Sequence, residues 1–226
     1  MDKPVILPGT SVAVPRIGLG VYQLRGEECT SACLAALEAG YRHFDTAQLY
    51  GNEAEVGRAV RDYLAQANLE RQDIHVTTKI GRYSGDAGKT YRSALRSVER
   101  IAGVDGFVDL FLVHRPVEKR KEMWLALERL LEEGRTRAIG VSNFRIEHLE
   151  EMKGYARVWP PVVNQIEVLV RWCLQKGYIP LPKSGNPERI GENINVFMFE
   201  LDSEEMELLD GLDMGAQGAL FPANVS

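Results

Sequence analysis

Short apolar runs alternate with amphipathic stretches along the whole chain. The runs are Ile17–Tyr22, Tyr41–Thr46, Ile74–Ile80, Val108–His114, Arg137–Asn143, Val162–Val168 and Tyr178–Pro182. They are rich in Val, Ile, Leu and Phe, and several are apolar on both faces, as buried parallel strands are. Between them, Val56, Ala59, Val60, Tyr63 and Leu64 make a stripe at helical spacing. Tyr91, Leu95, Val98 and Ala102 make another, and Met123, Leu127 and Leu130 a third. Gly40 and Gly134 stand where the first and fourth helices should end in a left-handed cap. Strand and helix alternate without a composition break or a Pro/Gly/Ser linker. The pattern therefore predicts one α/β domain over residues 1–226 with a parallel sheet.

The ends of the chain read differently. Two short β runs flank Pro8-Gly9 between Val5 and Val14, which predicts an N-terminal hairpin. Ser203–Leu212 predicts a last acidic helix, with Ser203 as its N-cap and Met206, Leu209 and Leu212 on one side. Residues 215–226 read as a loose tail.

Composition narrows the function classes. The chain has 226 residues and a net charge of −5, so it lacks the basic footprint of a nucleic-acid binder. No apolar run approaches the ~20 residues of a membrane span, and charge and prolines interrupt the N-terminus, so a signal peptide is not expected. Cys29, Cys33 and Cys173 are odd in number and widely spread, which fits reduced thiols in a cytoplasmic protein. Cys29 and Cys33 share a helix face with Leu37, and a packing role is expected there rather than a metal site. His43, His75 and His148 show no sequence partner and are assigned structural roles. Trp124 and Trp172 are assigned to core or rim positions.

Polar groups recur where the apolar runs stop. In order they are Asp45 with Tyr50 just beyond, Lys79, His114, Ser142-Asn143, Gln165 and Lys183-Ser184. In a parallel α/β barrel, function gathers at these C-terminal strand ends. A cation beside a tyrosine favours its phenolate, and a carboxylate paired with that cation fixes it and keeps it charged. With a histidine to orient a carbonyl oxygen, the set makes a general acid for an oxygen on which negative charge develops. Neither a G-x-S-x-G elbow nor a cysteine beside a histidine is present. Gly18-Leu-Gly20 lacks the third glycine and the following helix of a dinucleotide fingerprint.

The chain resembles the aldo-keto reductases. The resemblance rests on Gly18–Gln23, Tyr41–Glu53, Thr77–Lys79, Leu112–Pro116, Ile139–Phe144, Val163–Glu167, Ile179–Ser184 and Glu188–Asn193, in the family's order. It implies a (β/α)8 TIM barrel that binds NADP(H) in an extended form and reduces an aldehyde or ketone, a small-molecule carbonyl substrate. Tyr50 would be the proton donor, Lys79 its pKa-lowering partner, Asp45 the partner of Lys79, and His114 the group that orients the carbonyl. Ser142, Asn143 and Gln165 would hold the nicotinamide carboxamide. Lys183, Ser184 and Arg189 would bind the 2′-phosphate, with Glu192 and Asn193 at the adenine end. Lys183 and Arg189 around a helix start also suit a phosphate on chemical grounds, although a solvated basic turn is the alternative. Tyr22, His114 and Arg115 would face the substrate. The family often has tryptophan where Arg115 stands, which points to a polar or anionic substrate.

One departure is large. Landmarks at residues 19, 44, 76, 112, 139 and 163 stand about 24 to 36 apart, yet the next, at 181, follows after only about 18. The family places two strand-helix units there, and even one βαβ unit takes ~30 residues. The expectation is a TIM-type barrel lacking roughly one strand-helix block between strands six and eight, cut near 168–170. The missing block would include the tyrosine that stacks on the nicotinamide. Strand number and stagger are linked in a closed barrel, so the loss predicts weak NADPH binding and open edges that invite self-association. A weakly active or non-catalytic binding protein, or a splice product, is the alternative reading.

Overall fold

The computed structural model describes residues 4–165, 175–176 and 201–210. The expected hairpin forms: β1 (Val5–Ile6) and β2 (Ala13–Val14) pair antiparallel, with Val5 opposite Val14. Six parallel strands follow in chain order in one sheet. They are β3 (Leu19–Gly20), β4 (His43–Asp45), β5 (His75–Ile80), β6 (Val108–Val113), β7 (Thr136–Ser142) and β8 (Asn164–Gln165). Between them lie α1 (Gly26–Glu38), α2 (Glu53–Ala67), α3 (Ala87–Ala102), α4 (Arg120–Glu132) and α5 (Ile146–Met152). Each strand pairs with its chain neighbour after a helical crossover, which is the sheet order of a TIM-type barrel.

The alternation predicted from apolar runs holds, but the strands β3 and β4 are shorter than their runs. One further bond extends each pairing past the strand end, from Val21 N–H to Asp45 O and from Thr46 N–H to Thr77 O. Of Val162–Val168, residues 166–168 lie outside the described residues, as do the run at Tyr178–Pro182, Cys173, Trp172 and the tail. The helix α5 carries no long apolar stripe, and only the alternation of elements implies a helix there. Gly40 (φ 96°) and Gly134 (φ 69°) do adopt the left-handed conformation that a side chain resists.

Side chains alternate across the sheet. Outward residues such as Phe44, Val76, Ile80, Phe111, Val113, Ile139 and Val141 are buried under the helices with Val56, Val98, Trp124 and Leu127. Cys29, Cys33 and Leu37 belong to this layer, so the cysteine pair is packing. Inward, Leu110, Leu112 and Ala138 pack against Leu7 and Val12 of the hairpin region. Trp124 is fully buried and donates through Nε1 to Glu128 at 2.8 Å. Glu128 also accepts from the backbone N–H groups of Arg157 and Val158.

Residues 166–226 form a second compact unit by chain contacts. In it, α6 (Ser203–Asp210) starts at Ser203, and Met206 N–H donates to Asp202 O. The cap position thus falls to Asp202 rather than to Ser203. Gln175 pairs through its amide with both backbone groups of Leu201, and Lys176 pairs with Asp210 at 2.9 Å.

The histidines do have partners. His43 and His75 pack edge to face at 4.6 Å and share Thr77 Oγ1 at 3.1 and 3.3 Å. His148 Nδ1 accepts from Arg145 N–H at the start of α5. Burial lowers the His43 pKa, and burial together with His43 itself takes His75 down to about 3. At His43 the charges of Asp45 and Asp109 oppose the shift and Lys79 reinforces it, while at His75 Arg71 and Arg137 reinforce it. The unfolded imidazoles take protons near pH 6.5, while the folded pair resists them, so stability is lost as pH falls below that value. The slope is about 1.4 kcal/mol per pH unit for each excluded proton. Buried Glu53 has a raised pKa and acts in the opposite sense. Urea unfolding at pH 7 and pH 5 should therefore show a large acid loss in the wild type and a smaller one in His75→Gln. Equal losses in both would show that the pair does not set acid stability.

Candidate active site

The inward positions of successive strands carry the chemistry. On β4 and β5 the inward residues include Asp45, Thr77 and Lys79, because side chains on one face recur every second residue. The register sets Asp45 beside Thr77, and Lys79 beside Leu112, two residues before His114. Beyond β4, a short 3-10 turn at Gln48–Tyr50 brings Tyr50 back over the strand ends, and Gly51 at φ 68° lets the chain leave into α2.

Lys79 is the centre of the arrangement. Its ammonium is buried, forms an ion pair with Asp45, donates to Thr46 O at 3.2 Å and lies 3.5 Å from Tyr50 Oη. Burial pulls its pKa below the ordinary lysine value, and the Asp45 carboxylate holds against that pull. The ring of His114 packs edge to face on Tyr50 at 5.6 Å. Burial, with the charges of Lys79 and Arg115, lowers His114 to about 3, so its imidazole is neutral at physiological pH. His114 Nδ1 is buried and has no hydrogen-bond partner among the described residues. Tyr22 also packs edge to face on Tyr50, at 4.9 Å. Arg115 is half-buried at the exit of β6.

The next strand ends join this cluster. Ser142 Oγ donates to Gln165 O at 2.9 Å. Asn143, at φ 59°, donates through Nδ2 to Ser142 Oγ at 3.2 Å and to His114 O at 3.4 Å. The Gln165 amide donates to Asp45 Oδ2 at 3.0 Å, which links the first and last described members of the set. An open cavity of about 400 Å³ borders Asp45, Gln165, His43, Gly18 and Arg16. The predicted catalytic and carboxamide-holding residues are thus brought together. Lys183, Ser184, Arg189, Glu192 and Asn193 lie outside the described residues.

Gln48 escaped the sequence reading. Its Nε2 donates to Ser93 O at 3.1 Å and Ser97 Oγ at 3.0 Å, and its Oε1 accepts from Gly81 N–H at 3.2 Å. It anchors the turn that carries Tyr50, and a lone glutamine in a loop gives no pattern from which that could be read. Among the described residues no cluster of His, Cys, Asp or Glu could hold a metal ion, and no helix is long and apolar enough to cross a membrane.

The chain is similar to known proteins in sequence and fold. The sequence model of the Aldo/keto reductase family matches residues 16–170 and 166–214. An oxidoreductase of Bacillus subtilis, YtbE, is 36% identical, with 94% of each chain covered. A 9,11-endoperoxide prostaglandin H2 reductase of Trypanosoma cruzi is 34% identical over 90% of this chain and 89% of its own. An aldo/keto reductase structure from Brucella melitensis superposes with a TM-score of 0.66 at 32% identity, covering 93% of this chain and 99% of that one. The Bacillus alignment extends over 269 positions, more than the 226 residues present here, so this chain is shorter than its relatives.

Proposed function

The chain belongs to the aldo-keto reductase family, and from that premise we propose that it is an NADP(H)-dependent oxidoreductase that reduces aldehyde or ketone carbonyls with Tyr50 as proton donor. One observation carries the reading: buried Lys79 lies between the Asp45 carboxylate and Tyr50 Oη, with neutral His114 against the same phenol ring.

The carbonyl oxygen of the substrate accepts a hydrogen bond from the N–H of neutral His114, whose ring lies against Tyr50. As negative charge develops on that oxygen, Tyr50 gives up its proton to it. The Lys79 cation favours the phenolate left behind, and Asp45 keeps that cation charged against its burial. Tyr22 and Arg115 border the substrate, Arg115 favouring an anionic one.

The donors and acceptors of Ser142, Asn143 and Gln165 fit an amide, and these residues would hold the nicotinamide carboxamide. Lys183, Ser184, Arg189, Glu192 and Asn193 would hold the adenosine phosphate end. Bound NADPH would supply the hydride to the carbonyl carbon.

The chain's shortness and the division of its family match into two segments that meet at 166–170 support a weakened cofactor site. Wild-type protein should consume NADPH with a reactive aldehyde and yield the alcohol, and fluorescence titration should give an NADPH Kd above the micromolar range. No aldehyde-dependent NADPH consumption would overturn the reductase reading. Micromolar or tighter binding by a soluble monomer would overturn the weakened site.

A further inference from the structure

Asn52 stands at the N-cap position of α2 and is completely buried, yet its side chain makes no capping bond to that helix. Asparagine is among the residues best suited to cap. Here the amide turns back into the strand ends. Oδ1 accepts from Thr46 Oγ1 at 2.7 Å, and Nδ2 donates to Val21 O at 2.8 Å and Leu24 O at 2.9 Å. Each of these partners touches the site. Thr46 supplies the backbone oxygen that Lys79 donates to. Val21 and Leu24 bracket the turn that holds Tyr22 against Tyr50, and Gln23 in that turn is left-handed at φ 70°, a strained conformation for a side chain other than glycine.

We infer that Asn52 is a positioning residue for carbonyl reduction: one amide fixes the Thr46 segment under Lys79 and the Tyr22 turn beside Tyr50. The inference rests on the reductase reading above. Asn52 touches neither substrate nor proton donor; it sets the distance between Lys79 and the phenol and the wall against which the phenol ring lies. Reactive groups displaced by about an ångström can lose about 10²-fold in rate.

The test is Asn52→Ala, with Thr46→Val as a milder variant that keeps the chain foldable if the first does not fold. Three readouts are taken: kcat and KM with NADPH and an aldehyde, the pH profile of kcat, and a phenolate absorbance titration of the cofactor-free protein referenced to Tyr50→Phe. Asn52→Ala should lower kcat by about 10- to 100-fold with a smaller change in KM. The Tyr50 titration and the matching limb of the pH profile should move to higher pH, because the phenolate loses its cation. Thr46→Val should move both in the same direction by less. Combined with Tyr22→Ala, the loss from Asn52→Ala should be less than additive, since the two act through one turn. A lowered melting temperature with the titration and kcat in place would overturn the inference and leave only a structural role. A wild type that reduces no carbonyl would overturn the reductase reading instead, and the phenolate titration would still report on Asn52.

Discussion

Tyr50→Phe is expected to lower NADPH-dependent carbonyl reduction by about 10²- to 10⁴-fold, the range that a positioned general acid contributes. The substitution removes one oxygen and leaves the ring. The ring contacts with Tyr22 and His114 remain, so the walls of the site stay in place. The hydroxyl lies 3.5 Å from Lys79 Nζ, at the long end of hydrogen bonding, and its loss costs about 1 kcal/mol or less. A chain of this size should then melt within about 4 °C of the wild type. The combination of an unchanged fold and lost turnover is diagnostic. Because KM reports binding shared by ground and transition states, the loss should fall on kcat. Full activity in Tyr50→Phe would remove Tyr50 from the mechanism and return the proton to solvent or to another group.

Much of this arrangement could be read from the sequence, for a physical reason. Strand ends in a parallel sheet are marked by a change from apolar to polar residues, and that change is local in sequence. Asp45, Lys79, His114 and Ser142 each stand at such a change, so their convergence followed from the fold class alone. Tyr50 is five residues past its strand, and its return over the site depends on Gln48 and left-handed Gly51. Its place just beyond the Asp45 strand end made it a candidate, and the family resemblance gave it the role of proton donor. What was missed is long-range and polar. The His43–Thr77–His75 contact joins two strands, and Asn52 joins the start of α2 to loops some thirty residues away. Nothing in a hydrophobic pattern encodes which buried amide meets which carbonyl. The bond from Gln165 to Asp45 is of the same kind.

Asp45→Asn should cost both stability and activity, and the way the stability loss depends on pH identifies its cause. Lys79 is almost wholly buried, with side-chain exposure of 3%, and Asp45 is its ion-pair partner. Removing one member of a buried pair leaves an uncompensated charge, at a cost of about 3 to 5 kcal/mol. That corresponds to a fall in melting temperature of roughly 6 to 20 °C for a protein of this size. Asparagine keeps the shape and one acceptor oxygen, so the lower end of the range is expected. The Lys79 pKa is already depressed by burial, and losing the carboxylate depresses it further. The unfolded chain then holds a proton that the folded chain does not, up to the free lysine value near 10.4. Stability of the variant must therefore rise with pH across that window, and the gap to wild type should narrow between about pH 7 and pH 10. Activity should not recover in parallel, because a neutral amine no longer favours the phenolate of Tyr50. A second substitution, Lys79→Met, removes the stranded charge. The double variant Asp45→Asn with Lys79→Met should regain most of the lost stability while remaining inactive. Urea unfolding of the three proteins across this pH range is the measurement. A single variant as stable as wild type at pH 7 would show that the ion pair is not what holds Lys79 in place. A double variant that turns over substrate would show that the cation is not what readies Tyr50.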